Sequence, residues 1–173
     1  MLDRMQTEPT AQIDPRALRD AFGALPTGVA VVTLRDAAGM PTGMTVGSFA
    51  SLSLSPALCL FSLGRNQASA RLFAPDVPFV VNVLPDTMAD VAWQFARPQP
   101  DKCAGIALSD TAVDAPGLQG AIARFACHVD SIHDGGDHVI VVGRIADFDH
   151  APGDALVFWR GGMHRPAAVG ASS

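Results

Sequence analysis

The sequence predicts a mainly β protein, an antiparallel barrel with a few helices packed around it. Three observations lead there. β-Branched and aromatic runs outnumber helical patterns, and most connections between them are hairpin-short. One connection, Asp134-Gly135-Gly136, carries strong hairpin chemistry. The chain has 173 residues, enough for one domain with a proper core. That domain is expected over residues 13–165, between flexible termini at 1–12 and 166–173. Apolar residues make up 49% and charged residues 17%, which is a globular composition. So little charge suggests that a partner subunit covers some apolar surface.

The elements follow in order. Residues 14–25 read as a helix, with Asp14 as its cap and Pro15 at its first position. "GVAVVTL" (28–34) is a strand, "RDAAGM" a turn and "PTGMTVGS" (41–48) the returning strand. "ALCLFSL" (57–63) and "PFVVNVL" (78–84) are strands, with a short helix at 66–74 between them. A helix over 87–97 has Val91, Trp93 and Phe95 as its apolar residues. "PQPDKCAGIALSD" reads as a mobile loop. Two long strands around the Asp-Gly-Gly turn follow, then a last strand at 155–161 and a frayed polar tail from Met163.

Composition excludes several functions. With a net charge of −5 and scattered basic residues, there is no electrostatic footprint for nucleic acid. No run is long and apolar enough to span a membrane, and the N-terminal residues contain no signal-like apolar core. Cys59, Cys103 and Cys127 have neither metal-ligand nor redox spacing. They read as buried free thiols, and a cytoplasmic location fits them. His128, His133 and His138 are spaced by five, which places strand neighbours on opposite faces, so no metal site is expected. Nucleotide-binding glycine loops and the nucleophile elbow are absent.

Two segments carry the chemistry. In "GMTVGSFASLSLS" (43–55), Ser51, Ser53 and Ser55 alternate with Leu52 and Leu54. A strand of this pattern buries leucines and presents hydroxyls on its other face. Such a face suits either solvent at a sheet edge or an oxygen-rich ligand, such as a ribityl chain or a phosphate. After strand 57–63, "GRNQASARLF" turns at a glycine into a helix start, with Asn66 as a candidate cap. Arg65 and Ser69 add a cation and a hydroxyl, so this start can take a phosphate, although an ordinary capped surface helix has the same look.

"PTGVAVVT", "GMTVGSFASLSLSPALCLFSL", "FVVNVL", "HDGGDH" and "FWRG" stand in this order along the chain. In that order and spacing the chain resembles the short-chain flavin reductases, from about Ile13 to Arg165. The resemblance implies the flavin-reductase-like FMN-binding split barrel and a homodimer. It also implies FMN or FAD held near the subunit interface, NADH or NADPH as reductant, and service as the reductase component of a two-component flavin-dependent monooxygenase. On this resemblance, Gly43, Met44, Thr45, Val46 and Ser48 line the isoalloxazine ring, largely through backbone groups. Ser51, Leu52 and Ser53 lie along the cofactor. Ser62, Leu63, Arg65, Asn66 and Ser69 hold its phosphate end, and Asn82 sits beside the flavin. His138, the candidate catalytic residue, and Arg160 fall on the nicotinamide side.

The chain departs from the family pattern at Cys103, where an aromatic is common, at Gln67-Ala68 in the phosphate segment, and at Met163. The expected reaction is hydride transfer from nicotinamide C4 to flavin N5, with the protein stacking the rings and excluding water. The competing readings are a flavin-binding or diverged split barrel without free-flavin turnover, and a barrel that serves only as an interaction subunit.

Overall fold

The structure, a computed structural model, describes residues 13–166. The expected flexible termini, apart from Pro166, lie outside the described residues. Helix α1 (Pro15–Phe22) starts as expected: the Asp14 carboxylate accepts the Arg16 N–H at 3.0 Å. It ends at Gly23, two residues short of the expected Leu25. Strands β1 (Thr27–Gly28), β2 (Ala30–Arg35), β3 (Pro41–Val46), β4 (Ala50–Leu54) and β5 (Ala57–Gly64) follow. A short 3₁₀ turn, Ala68–Leu72, leads to β6 (Pro78–Val83), and a second, Asp86–Met88, leads into α2 (Ala89–Ala96). The chain continues through β7 (Leu108–Ser109), β8 (Gly117–Leu118), the long hairpin β9 (Ala123–Gly135) and β10 (His138–His150), then β11 (Val157–Trp159) and β12 (Gly162–His164).

Seven strands form one antiparallel sheet in the order β3-β2-β6-β9-β10-β5-β4. The sheet curls without closing, which makes the barrel a split one. A serine ties its two sides together. Beyond Leu60 the ladder between β4 and β5 stops, so Ser62 has a free backbone edge. The Ser48 hydroxyl fills that edge, accepting the Ser62 N–H at 2.9 Å and donating to the Ser62 carbonyl at 3.2 Å.

β2 is buried on both faces, which explains an apolar run interrupted only by Thr33. Ala30, Val32 and Leu34 face the barrel interior with Phe61, Phe73, Phe79, Cys59 and Cys127. Val29 and Val31 face outward, onto Ala92 and Phe95 of α2 and onto Leu118. Each buried Val, Leu or Phe among them contributes about 1.5–3 kcal/mol of transfer free energy. α2 packs through Ala92 and Phe95, not through the expected set of Val91, Trp93 and Phe95. Positions 92 and 95 share a helical face, whereas 91, 93 and 95 follow a strand's period.

Three further expectations are corrected. Leu52 and Leu54 are not buried in the barrel: they are 49% and 95% exposed. β4 is the sheet edge, and the register slips between Ser51 and Ser53, so a bulge breaks the strict alternation. The last strand is interrupted by Arg160 and Gly161, both left-handed at φ 47° and 81°, and the chain returns as β12. Met163 and His164 therefore belong to a hairpin and not to a frayed tail. The segment expected to be mobile is tied to α2. The Gln94 amide donates to the Lys102 and Ala104 carbonyls at 3.1 and 2.9 Å.

The cysteines stay free, but two of them meet in space. Cys59 on β5 and Cys127 on β9 place their sulfurs 3.8 Å apart in the barrel interior. The hydrogen bond to Cys59, together with burial, pushes the Cys127 thiol up, so it stays protonated at neutral pH.

Candidate flavin and nicotinamide site

A cleft of about 680 Å³ opens between β3, the 3₁₀ turn and the C-terminal end of α2. Gly43, Met44, Thr45 and Ser69 among the expected residues line it, with Gln67, Phe95 and Lys102. β3 offers mainly backbone here. The Met44 and Val46 side chains belong to the barrel core, and the Thr45 hydroxyl is engaged by the Ala92 carbonyl at 2.6 Å. Gly43 lets α2 lie close: a Cβ there would come within 3.0 Å of the Phe95 ring and 2.6 Å of the Val32 carbonyl.

Lys102 is a cation of this cleft that sequence reasoning did not place in the site. Its ammonium caps α2, donating to the Phe95 carbonyl at 2.9 Å and also to the Arg97 carbonyl. Desolvation holds it below the usual lysine range. The signal was its neighbourhood, Lys102-Cys103 after two prolines, but only the fold turns that loop back over α2.

A second group gathers at the tip of the β9–β10 hairpin. His138 pairs in register with Gly64 at the end of β5. Its Nδ1 lies 2.6 Å from the Asp137 carboxylate, and that bond holds the Asp137 carboxyl below its usual range. Arg65, expected to be the phosphate cation, is paired with Asp134 at 2.9 Å and donates its backbone N–H to the Asp137 carbonyl at 2.9 Å. Asn66 is not a helix cap. It sits inside the turn closed by the Gln67 N–H on the Gly64 carbonyl at 2.9 Å. Gln67 takes the cap position without a side-chain bond, and the helix is one short 3₁₀ segment. Residues 64–69 thus run from the hairpin tip to the cleft.

The remaining expected residues stand apart. Leu63 is in the core, while Ser62 is tied to Ser48 at the seam. Ser51, Leu52 and Ser53 lie along the open edge. Arg160 belongs to the small sheet β1-β11-β12, with its guanidinium 4.8 Å from the Trp159 ring and its N–H on the Gly23 carbonyl at 3.1 Å.

Asn82, expected beside the flavin, is fully buried on the outer face of β6. Its amide donates to the Val31 carbonyl and the Thr33 hydroxyl at 2.9 Å each, and its oxygen accepts the Leu118 N–H at 2.8 Å. It pins β8 to the barrel, and its complete burial keeps it out of a ligand's reach. Asn82→Ala is expected to cost about 2–3 kcal/mol, because the Leu118 N–H is left buried and unpaired. A denaturant midpoint unchanged from the parent protein would contradict this.

Two other clefts, of about 560 and 370 Å³, lie around β7–β8 and the far end of the β9–β10 hairpin. Neither contains an expected site residue. Among the described residues, no group of three or more His, Cys, Asp or Glu could hold a metal ion, and no helix is long and apolar enough to cross a membrane.

The antiparallel split barrel with a backbone-lined cleft between β3 and α2 defines a class of ligand-binding barrel. Comparison with known proteins agrees: residues 22–167 match the flavin reductase like domain, and the chain belongs to that family. It is 41% identical over 162 residues to a probable flavin reductase of Rhizobium meliloti, covering 93% of this chain and 52% of that protein. The chain therefore spans about half the length of that relative. It is 38% identical to the flavin-dependent monooxygenase reductase subunit HsaB of Mycobacterium tuberculosis, covering 88% of this chain and 82% of that one. A solved structure of the NADH:FAD oxidoreductase SgcE6 of Streptomyces globisporus C-1027, in complex with NAD and FAD fragments, superposes with a TM-score of 0.84. The two are 33% identical, and the match covers 93% of this chain and 99% of that chain.

Proposed function

We propose that this protein is an NAD(P)H:flavin oxidoreductase that reduces FMN or FAD and supplies the reduced flavin to a monooxygenase component. The observation that carries the reading is the cleft over β3, in which a strand of the expected ring-binding segment presents backbone between α2 and the 64–69 turn. The fit is chemical as well as spatial. A flat, uncharged ring system needs backbone donors and an apolar wall, and β3 with Phe95 supplies both.

When bound, the two nucleotides supply the hydride chemistry themselves. In this reading Gly43, Met44 and Thr45 orient the ring, and Ser69 with Gln67 meets its polar tail. His138 orients the nicotinamide or moves a proton to the reduced flavin. Lys102 supplies positive charge at the cleft, a role the Arg65–Asp134 pair leaves to it. Arg160 pairs with a phosphate of the nicotinamide nucleotide or with the reduced flavin's charge.

The same reading makes the protein a homodimer. Leu54, Phe148 and Leu52 are 95%, 63% and 49% exposed in the single chain, and the serine edge carries two of them. A second copy laid on β4 covers these leucines and brings Ser51 and Ser53 beside a cofactor at the interface. The free thiols suit a cytoplasmic location.

The test is absorbance at the nicotinamide band, with NADH or NADPH paired with FMN or FAD. Steady oxidation that depends on added flavin is expected in at least one pairing. Yellow protein without turnover would move the reading to a flavin-binding split barrel, and neither colour nor turnover would remove flavin altogether.

A further inference from the structure

We propose that Asp137 is a positioning residue for His138, holding Nδ1 as its N–H so that Nε2 is the nitrogen offered to the nicotinamide. The inference rests on the proposed role of His138. It begins from the short contact, 2.6 Å between His138 Nδ1 and an Asp137 carboxylate oxygen. An ionised carboxylate only accepts hydrogen bonds, so Nδ1 must carry the proton. The neutral ring then has its lone pair on Nε2. A nitrogen in that state accepts an N–H, and the carboxamide of nicotinamide supplies one.

The backbone makes the contact reproducible. Gly136, at φ 73°, takes the first position of the two-residue turn, and Asp137 takes the second. The Asp137 carbonyl is anchored from β5 by the Arg65 N–H at 2.9 Å. Polar groups at the hairpin tip come from β5 and β9. Arg65 at the end of β5 is held by Asp134 of β9 at 2.9 Å and reaches the His138 carbonyl at 3.4 Å. His133 of β9 bonds Ser131 at 3.0 Å. The arginine is thus occupied by Asp134, and Asp137 is left to the imidazole. Because the bond from His138 lowers the Asp137 carboxyl, it stays ionised as pH falls through the neutral and mildly acidic range. The hold is lost only below the ordinary carboxylate range, where Asp137 takes up its proton.

Asp137→Ala separates this role from a merely structural one, since alanine removes the acceptor from an exposed turn position while Gly136, which carries the positive φ, is kept. The readout is the imidazole nitrogen NMR of labelled full-length protein at pH 8, with the His138 signal identified by its loss in His138→Gln. The parent protein is expected to show the Nδ1–H form, and Asp137→Ala, in which Nδ1 has lost its acceptor, the Nε2–H form. KM for the nicotinamide nucleotide should rise about tenfold at an unchanged thermal midpoint. An Nε2–H form in the parent protein, or an unchanged form in Asp137→Ala, would overturn the inference. An unchanged KM in His138→Gln, with the Nδ1–H form intact in the parent, would instead remove His138 from the nicotinamide and take the role of Asp137 with it.

Discussion

Gly143→Ala is expected to destabilise the barrel by about 3 kcal/mol, the upper end for one added methyl group in a packed core. Gly143 lies on β10, in register with Cys59 on one side and Val129 on the other. A Cβ there would overlap the Phe79 ring and come 3.2 Å from the Cys59 sulfur. Phe79 cannot swing away. Its ring centroid lies 5.6 Å from that of Phe61 and 5.9 Å from that of Phe73, and all three rings are buried. Alanine suits a strand better than glycine does, but that gain is under 1 kcal/mol and is outweighed by the overlap. Gly28→Ala is the control, since nothing lies within 4 Å of its added Cβ. Urea midpoints decide the matter. If Gly143→Ala melts with Gly28→Ala, the three rings are looser than their contacts imply.

Leu54→Asp is expected to split the proposed dimer and abolish flavin-dependent oxidation of the nicotinamide nucleotide while leaving each chain folded. The side chain is 95% exposed in the single chain, so a carboxylate there costs the monomer little. Against a second copy the same carboxylate would be desolvated without a partner, which weakens association by about 100-fold or more. Sedimentation at micromolar concentration would show the monomer, and circular dichroism the intact fold. A variant that stays dimeric would take Leu54 out of the interface. A fully active monomer would show instead that one chain holds the whole site.

The two segments singled out for chemistry were legible to different degrees. Strand β3 and the 64–69 turn are local features, and their polar residues stand at the cleft and the hairpin tip where a nucleotide could span them. The serine row was legible as a strand but not in its burial. Alternation assumes an unbroken ladder, and the bulge at Leu52 together with the edge position exposes both leucines. Arg65 looked like a free cation because Asp134, its partner, is far away in the sequence and becomes a neighbour only when β5 pairs with β10. Asn82 was expected beside the flavin only because the family resemblance places its strand there. Its partners, Val31, Thr33 and Leu118, come from other elements and hold both ends of its amide inside the barrel wall.

By itself, the order of apolar runs, turn glycines and short connections determined an antiparallel barrel, its long hairpin and its capped first helix. Those features depend on backbone preference and on periodicity within a few residues. Tertiary structure alone decided that Ser48 fastens the split and that Lys102 folds back over α2. It also set two buried thiols 3.8 Å apart and gave His138 a carboxylate on Nδ1. The physical reason is common to all four. Hydrogen bonds and charge pairs act over a few ångströms, so a side chain's role depends on which strands lie beside it, and that is settled by the packing of the whole sheet.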